Sequence, residues 1–302
     1  MGYQSIENPS LFRGFFFSLL LLYPREMEKR TKSIGVFDSG FGGLTILRGL
    51  VRALPEYSYI YLGDTARTPY GSRSQDVIYE FTKQAVDFLF EKNCDLIILA
   101  CNTASSEALR RIQQEYLPKN YPGKNVLGVI IPAAEIAAHK TQNKRVGVIA
   151  TEQTVNSKAF IRELHKLDPT IQVFQNACPL LVPLIETGEH ESTITDLTLK
   201  KYLAPLEKKK IDTLILGCTH YGILERKIKK IAGKNITLIS ETAVIGKKLR
   251  DYLKRHPARE QVLRKNQGRT FYTTDLTEKF QRLGSQFFGK KIHPKKAALE
   301  NA

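Results

Sequence analysis

Two apolar runs that each end in a cysteine constrain this sequence more than any other feature. Residues 95–100, with the sequence DLIILA, lead into Cys101, and residues 212–217, DTLILG, lead into Cys218. Each run has the length and the continuous apolar character of a strand that is buried on both faces of a parallel sheet. Open α/β sheets bind their ligands just beyond the carboxyl ends of their strands. We therefore expect both cysteines to lie at ligand-binding edges.

The chain also contains an internal repeat, which makes the two cysteine runs equivalent. Gly35 in SIGVF and Gly147 in RVGVI are 112 positions apart, and the two cysteines are 117 positions apart. Strand-like runs alternate with helix-like amphipathic segments in both halves, a pattern typical of parallel α/β sheets. The predicted fold class is α/β, with two pseudo-symmetric parallel-sheet α/β domains that face each other across a cleft.

A break in composition at residues 118–125, which hold two prolines and a glycine, favours a domain boundary there. We expect a first domain of residues 33–125 plus 235–302 and a second domain of residues 126–234. The strand that begins at Val126 is assigned to the second domain, and the strand at residues 235–240 is expected to return to the first. Residues 1–32 form an N-terminal extension.

The extension carries an apolar run at residues 15–23, and nine residues are too few to span a membrane. A signal peptide is a second interpretation, although only Arg13 precedes the run and no small-residue cleavage site follows it. A third interpretation, which we favour, is that translation starts at Met27, so that residues 1–26 are absent from the native protein. We expect a cytoplasmic protein that does not associate with membranes.

Positive charge is concentrated near the C-terminus. Of a formal net charge of +16, the segment 247–302 contributes 15 Lys and Arg against 5 Asp and Glu. Such a segment is typical of a solvated surface, and it also suits contact with nucleic acid or anionic lipid. We expect the solvated surface and keep nucleic-acid contact by the basic tail as the alternative. A hydrophobic fraction of 42% excludes a disordered chain.

The four cysteines are Cys94, Cys101, Cys178 and Cys218. None forms a C-x-x-C pair, so a zinc or dithiol redox site has little support, and we expect no metal. An even number allows disulfides, but cysteines within strand-like runs of a long chain favour free thiols in the cytosol.

The glycine loop at residues 38–43, DSGFGG, follows the first strand. It lacks the G-x-G-x-x-G spacing of dinucleotide-binding loops because position 45 is threonine, and it has no Walker lysine. Its glycines allow the backbone to approach a small ligand, and the start of the next helix favours an anion such as a carboxylate. A plain tight turn is the alternative.

Two thiols on opposite sides of one carbon atom suggest stereoinversion. One thiolate removes a proton from one face, and the other thiol returns a proton to the opposite face. Asp38 either accepts a hydrogen bond from a substrate ammonium group or orients Cys101. His220 is expected to orient Cys218 in the same way. A single buried cysteine or histidine is more often structural, but two cysteines at equivalent points of a repeat favour a shared function.

The residues that follow the two cysteines suit an amino-acid substrate. Asn102, Thr103 and Thr219 carry hydrogen-bond donors for a carboxylate group.

In these motifs the chain resembles the glutamate racemases of the cofactor-independent aspartate/glutamate racemase superfamily, over about residues 33–245. The motifs are Asp38-Ser39-Gly40-Phe41-Gly42-Gly43, Pro69-Tyr70-Gly71, Cys101-Asn102-Thr103 and Gly217-Cys218-Thr219-His220. The resemblance implies that Cys101 and Cys218 are the proton donors and acceptors and that Glu186 supports His220. The implied substrate contacts are Asp38, Ser39, Tyr70, Gly71, Asn102, Thr103, Thr219 and His220.

The same resemblance implies that the substrate is glutamate. It also implies that the reaction needs no cofactor, pyridoxal phosphate included, and no metal. The product, D-glutamate, would enter peptidoglycan synthesis for the cell wall in the bacterial cytoplasm. We also expect a homodimer. Racemisation of aspartate or another amino acid is the near alternative, and a one-cysteine relative such as a decarboxylase is disfavoured because both cysteines are present.

Overall fold

Two parallel sheets organise residues 31–299, the part of the chain that the computed structural model describes. The predictions for residues 1–30 lie outside the described residues. The strands are β1 Ser33–Asp38, β2 Tyr59–Gly63, β3 Cys94–Leu99, β4 Asn125–Gly128, β5 Arg145–Ala150, β6 Gln172–Ala177, β7 Thr213–Gly217, β8 Thr237–Ser240, β9 Arg269–Thr273 and β10 Pro294–Lys296.

Helices cover both sheets. They are α1 Gly43–Ala53, α2 Gln75–Glu91, α3 Asn102–Glu107, α4 Leu109–Arg111, α5 Leu117–Asn120, α6 Ile130–Lys140, α7 Glu152–Asn156, α8 Ala159–Leu167, α9 Leu181–Glu186, α10 Thr193–Glu207, α11 Glu225–Ala232, α12 Glu241–Arg255, α13 Pro257–Val262 and α14 Glu278–Phe288. Short 3-10 turns lie at Tyr70–Ser72, Glu189–Glu191 and Thr219–Leu224, and a π-helical turn lies at Ile112–Tyr116. None of the helices within residues 31–299 combines the length and the apolar character that crossing a membrane requires.

The strand orders show the internal repeat directly. The first sheet has the order β10-β9-β2-β1-β3-β4 and the second has β6-β5-β7-β8, and every strand pair is parallel. The segment β2-β1-β3-β4 of the first sheet therefore has the same order as the whole second sheet. The predicted α/β class with two parallel-sheet domains is confirmed, and each predicted cysteine follows the third strand of its repeat.

Two strands lie in the opposite sheet from the one expected. β4, predicted to open the second domain, pairs with β3 in the first sheet, and β8, predicted to return to the first domain, pairs with β7 in the second. Pro122 and Gly123 mark the turn between α5 and β4 just as they would mark a linker between domains. The chain therefore crosses between the sheets after β4 and after β8.

The basic tail is part of the first sheet. β9 pairs with β2, β10 pairs with β9, and α14 buries Phe280, Leu283 and Phe287. β10 has the sequence PKK, and proline and lysine are typical of an edge strand that resists further pairing. Nucleic-acid contact by the tail stays the untested alternative to a solvated surface. Truncation near Lys247 would remove two strands of the sheet and is therefore not a clean test of it.

Two glycines allow α12 to lie against α1. A Cβ atom at Gly49 would be 2.3 Å from the carbonyl oxygen of Thr242, and one at Gly246 would be 2.3 Å from the Cβ of Ala53. Both distances are far below van der Waals contact, and neither neighbour is the end of a flexible side chain. Because α12 also contacts α6 of the second domain, this glycine pair fixes how the two halves meet.

Gly246→Ala is expected to lower the free energy of unfolding by about 1 kcal/mol or more, because overpacking outweighs the gain in helix propensity. Urea denaturation measures the change. Gly222→Ala is the matched control, since its added Cβ meets nothing closer than 3.6 Å. Equal stability of the two variants would contradict the close packing of α12 on α1.

Candidate active site

A cavity of about 180 Å³ lies where the carboxyl ends of the two sheets meet. This volume is smaller than the range of about 300–1,000 Å³ that is usual for drug-sized ligands, so the cavity suits a small metabolite. The predicted site residues that line it are Ser39, Tyr70, Gly71, Cys101, Asn102, Thr103, Cys218, Thr219 and His220. Both predicted cysteines therefore open onto one cavity, with contributions from both domains.

Cys101 lies at the N-cap of α3, directly after the buried strand β3. The helix begins at Asn102, so Asn102 and Thr103 belong to its first turn. The Sγ atom of Cys101 is 3.3 Å from the hydroxyl oxygen of Ser39. Burial, reinforced by the charge of Asp38, raises the pKa of Cys101 to about 12. Cys101 is therefore a thiol at neutral pH and is suited to donate a proton.

Cys218 has a different electrostatic environment. Its Sγ atom is 3.8 Å from Nδ1 of His220, and Nε2 of His220 is 3.1 Å from Oε1 of Glu186. Burial disfavours the imidazolium, but hydrogen bonds to Cys218 and Glu186 outweigh it and raise the pKa of His220 to about 10. Glu186 lies at the end of α9 and supports His220 from outside the cavity lining. A charged imidazolium beside Cys218 is the partner that a thiolate needs.

Asp38 lies beneath the cavity wall and is fully buried, so it is not among the lining residues. Its carboxylate accepts hydrogen bonds from the N–H of Gly40 at 2.9 Å and from the hydroxyl of Thr219 at 3.2 Å. Burial raises the pKa of Asp38, and these hydrogen bonds together with the charge of His220 oppose the shift. In this position Asp38 joins the strand-end loops of the two sheets and adds negative charge near Cys101.

Tyr70 and Gly71 form another part of the wall. The hydroxyl of Tyr70 donates to Oδ2 of Asp64 at 2.5 Å. A Cβ at Gly71 would lie 2.9 Å from that of Thr151, so glycine is needed for this close approach. The hydroxyl oxygens of Thr103 and Thr151 are 3.1 Å apart, which joins the two domains at this point.

Thr151, Cys178 and Glu241 were not predicted as residues of the site. Thr151 and Cys178 line the cavity, and Glu241 binds Asn102. Thr151 is 112 positions after Ser39, so the repeat that aligned Gly35 with Gly147 already contained the signal for it. Cys178 lines the cavity, and burial raises the pKa of its thiol. All four cysteines of the chain are free thiols.

Glu241 is the first residue of α12 and is almost completely buried. Its Oε2 atom accepts a hydrogen bond from Nδ2 of Asn102 at 2.8 Å. Burial, with a smaller contribution from the charge of Asp38, raises the pKa of Glu241 to about 8. An acidic residue in the first turn of a helix is common, and the sequence around Glu241 has no other signal that links it to Asn102.

A family profile described as Asp/Glu/Hydantoin racemase matches residues 34–247. This chain belongs to that family. The prediction of an isomerase of the racemase type is confirmed at this level. The glutamate racemase of Neisseria meningitidis serogroup A is 42% identical over 266 residues, which cover 87% of this chain and 95% of that protein.

Solved structures support the same relationship. Glutamate racemase isoform RacE1 from Bacillus anthracis is 34% identical with a TM-score of 0.82, and the match covers 89% of this chain and 98% of that one. Glutamate racemase from Francisella tularensis, solved in complex with D-glutamate, is 37% identical with a TM-score of 0.80 at the same coverage.

Glu186→Gln is expected to lower the pKa of His220, because it removes the carboxylate that stabilises the imidazolium. In the wild type, the stability from the raised pKa is fully present below pH 6.5 and is lost as the pH rises through about 10. The free energy of unfolding of the wild type should therefore exceed that of the variant most clearly below pH 6.5, and the difference should shrink as the pH rises toward about 10. An NMR titration of the His220 ring measures the pKa directly.

Glu189→Gln, in the neighbouring 3-10 turn, is the control for this titration, because the Glu189 side chain is exposed. A His220 titration that is the same in the Glu186 and Glu189 variants would show that Glu186 does not stabilise the imidazolium.

Proposed function

We propose that this protein is a glutamate racemase that interconverts L-glutamate and D-glutamate by proton transfer between Cys101 and Cys218. The observation that carries the proposal is the lining of one small cavity by both thiols, one from each half of the repeat. The family to which the chain belongs and its glutamate racemase relatives support the choice of reaction.

The surroundings of the two thiols suggest which form each takes before a turnover. Cys218, beside the imidazolium form of His220, is the thiolate that removes the α-proton from one face of the substrate. Cys101, whose pKa is raised to about 12, is the thiol that delivers a proton to the opposite face of the resulting carbanion. One C–H bond breaks, one C–H bond forms, and the two cysteines exchange protonation states. The reverse reaction restores them.

The cavity walls supply polar contacts for the substrate. Ser39, Thr103 and Thr219 carry hydroxyl groups, and Asn102 carries an amide. We expect glutamate also to contact Tyr70 and Gly71, in keeping with the resemblance to glutamate racemases. Wall groups that hold the substrate carboxylates also exclude water, which strengthens electrostatic stabilisation of the carbanion.

The biological setting follows from the proposed activity. We propose that the enzyme works in the cytoplasm as a homodimer and supplies D-glutamate for peptidoglycan synthesis. Analytical ultracentrifugation tests the homodimer, and replacement of the chromosomal gene in a strain that needs D-glutamate for growth tests the supply role.

Incubation with L-glutamate in D₂O, without added cofactor, is expected to give D-glutamate that carries deuterium at the α-carbon. Cys101→Ala and Cys218→Ala should each lower the racemisation rate by at least about 100-fold, since each removes one proton-transfer group. Each variant keeps one base, so each should still exchange the α-proton of one enantiomer, and the enantiomer should differ between them. Proton NMR and chiral chromatography measure both quantities.

Cys94→Ala is the matched control for these variants, because Cys94 is buried at the start of β3 and lies outside the cavity lining. Its activity should stay within about twofold of the wild type. Racemisation that survives the loss of either Cys101 or Cys218 would contradict the two-base mechanism.

A substrate panel separates glutamate from the alternative substrates. Because aspartate is one methylene shorter, we expect its kcat/KM to be lower than that of glutamate by about 10-fold or more. A higher kcat/KM for aspartate, or for another amino acid, would transfer the proposal to that substrate.

A further inference from the structure

Glu241 is a buried carboxyl group that takes no part in the proton transfer described above. It lies between β8 of the second sheet and the rest of α12, yet its hydrogen bond to Asn102 reaches a residue that adjoins Cys101 in the first domain. The bond is 2.8 Å long, and both side chains are almost completely buried. Glu241 therefore connects the second sheet to the cavity wall beside one proposed catalytic thiol.

This hydrogen bond fixes the orientation of the Asn102 amide. An amide has a nitrogen with two N–H donors and an oxygen that only accepts. One N–H of Nδ2 is bound to Glu241, and the oxygen Oδ1 is buried without a partner among residues 31–299. Oε1 of Glu241 is likewise buried and unpartnered within this part of the chain. Because both oxygens are unpartnered, the two side chains share one hydrogen bond and not the two that a carboxylic acid and an amide can form with each other.

A buried acceptor without a partner is unfavourable unless a ligand supplies a donor. Asn102 lines the cavity, and the one strong donor on an amino-acid substrate is its α-ammonium group. The sequence predicted Asn102 as a donor for a carboxylate. The hydrogen bond to Glu241 uses one of its two N–H donors and fixes the amide, so the unpartnered oxygen is the atom that still needs a ligand.

We propose that Glu241 is a positioning residue that fixes the Asn102 amide so that its oxygen accepts from the α-ammonium group of the substrate. The proposal rests on the proposed racemase function and specifies how that site recognises an amino acid. Glutamine at position 241 keeps an oxygen that accepts from Nδ2, so it preserves this role. Methionine has a similar length and no such acceptor, so it abolishes the role.

Steady-state kinetics of Glu241→Met and Glu241→Gln test the proposal. Glu241→Met should raise KM for L-glutamate by about 10-fold or more, because it releases a hydrogen bond that orients a group for a charged ligand. The change in kcat should be smaller, and Glu241→Gln should stay within about threefold of the wild type. Failure of glutamine to restore KM in a folded variant would overturn the proposal.

Glu107→Met is the matched control. Glu107 lies on the same helix as Asn102, is buried, and has an unpartnered Oε1 within the described residues, but it does not line the cavity. KM should stay within about twofold in this variant. An equal rise of KM in the Glu107 and Glu241 variants would assign the effect to loss of a buried carboxyl group in general and overturn the positioning role.

Inhibition by glutarate, which is glutamate without its ammonium group, separates recognition of the ammonium from general damage to the cavity. Glu241→Met should raise KM for glutamate and leave the inhibition constant of glutarate within about twofold. Equal weakening of both ligands would overturn the assignment of Asn102 to the ammonium group.

The side-chain NH₂ signal of Asn102 gives a readout that does not depend on activity, and its absence from Asn102→Asp identifies it in ¹⁵N spectra. It should be the same in the wild type and Glu241→Gln and shift in Glu241→Met, or in Glu241→Ala if the methionine variant does not fold. An unchanged signal overturns the positioning role. A wild type that racemises no amino acid refutes the proposed function, whereas this measurement still decides whether Glu241 orients Asn102.

Discussion

The hydrogen bond from Thr219 to Asp38 is the interaction on which the rest of the site depends. It joins the last residue of β1 to the turn after β7, and the hydroxyl of Thr45 adds a second link by donating to the carbonyl of Thr219. Gly42 makes this approach possible, because a Cβ there would lie 2.2 Å from the Thr219 hydroxyl. Cys218 directly precedes Thr219, and Cys101 follows β3, which pairs with β1, so this junction links the two strand ends that carry the thiols.

Burial of charged groups at this junction gives the two thiols unequal surroundings. Asp38 and Glu241 are carboxyl groups whose pKa values are raised by burial, and they lie on the side of Cys101 and Asn102. The pair of His220 and Glu186 lies on the side of Cys218. Buried carboxyl groups thus accompany one sulfur and an imidazolium accompanies the other. The rings of Phe287 and His220 pack edge to face with centroids 5.9 Å apart, so the tail contributes to the wall on the Cys218 side.

The sequence predicted what depends on local pattern and failed where pairing over long distances decides. Cys101 and Cys218 could be found because each ends an apolar run and because the runs repeat. The runs containing β4 and β8 were also recognised as strands, but their sheets were not, because the residues of a short strand do not record which strand it pairs with. Glu241 could not be found, since its link to Asn102 spans 139 positions and is a single hydrogen bond. Thr151 could have been found from its repeat partner Ser39.

The unequal surroundings of the two thiols have a kinetic consequence for the proposed reaction. L-glutamate and D-glutamate have the same free energy in water, so the equilibrium constant between them is one, whatever the enzyme does. The Haldane relation then requires equal values of kcat/KM in the two directions. The enzyme can still bind one enantiomer more tightly, but it must turn that enantiomer over more slowly by the same factor. The imidazolium beside Cys218 and the buried carboxyl groups near Cys101 therefore affect kcat and KM in each direction. Their influence cancels only when kcat/KM in one direction is divided by kcat/KM in the other.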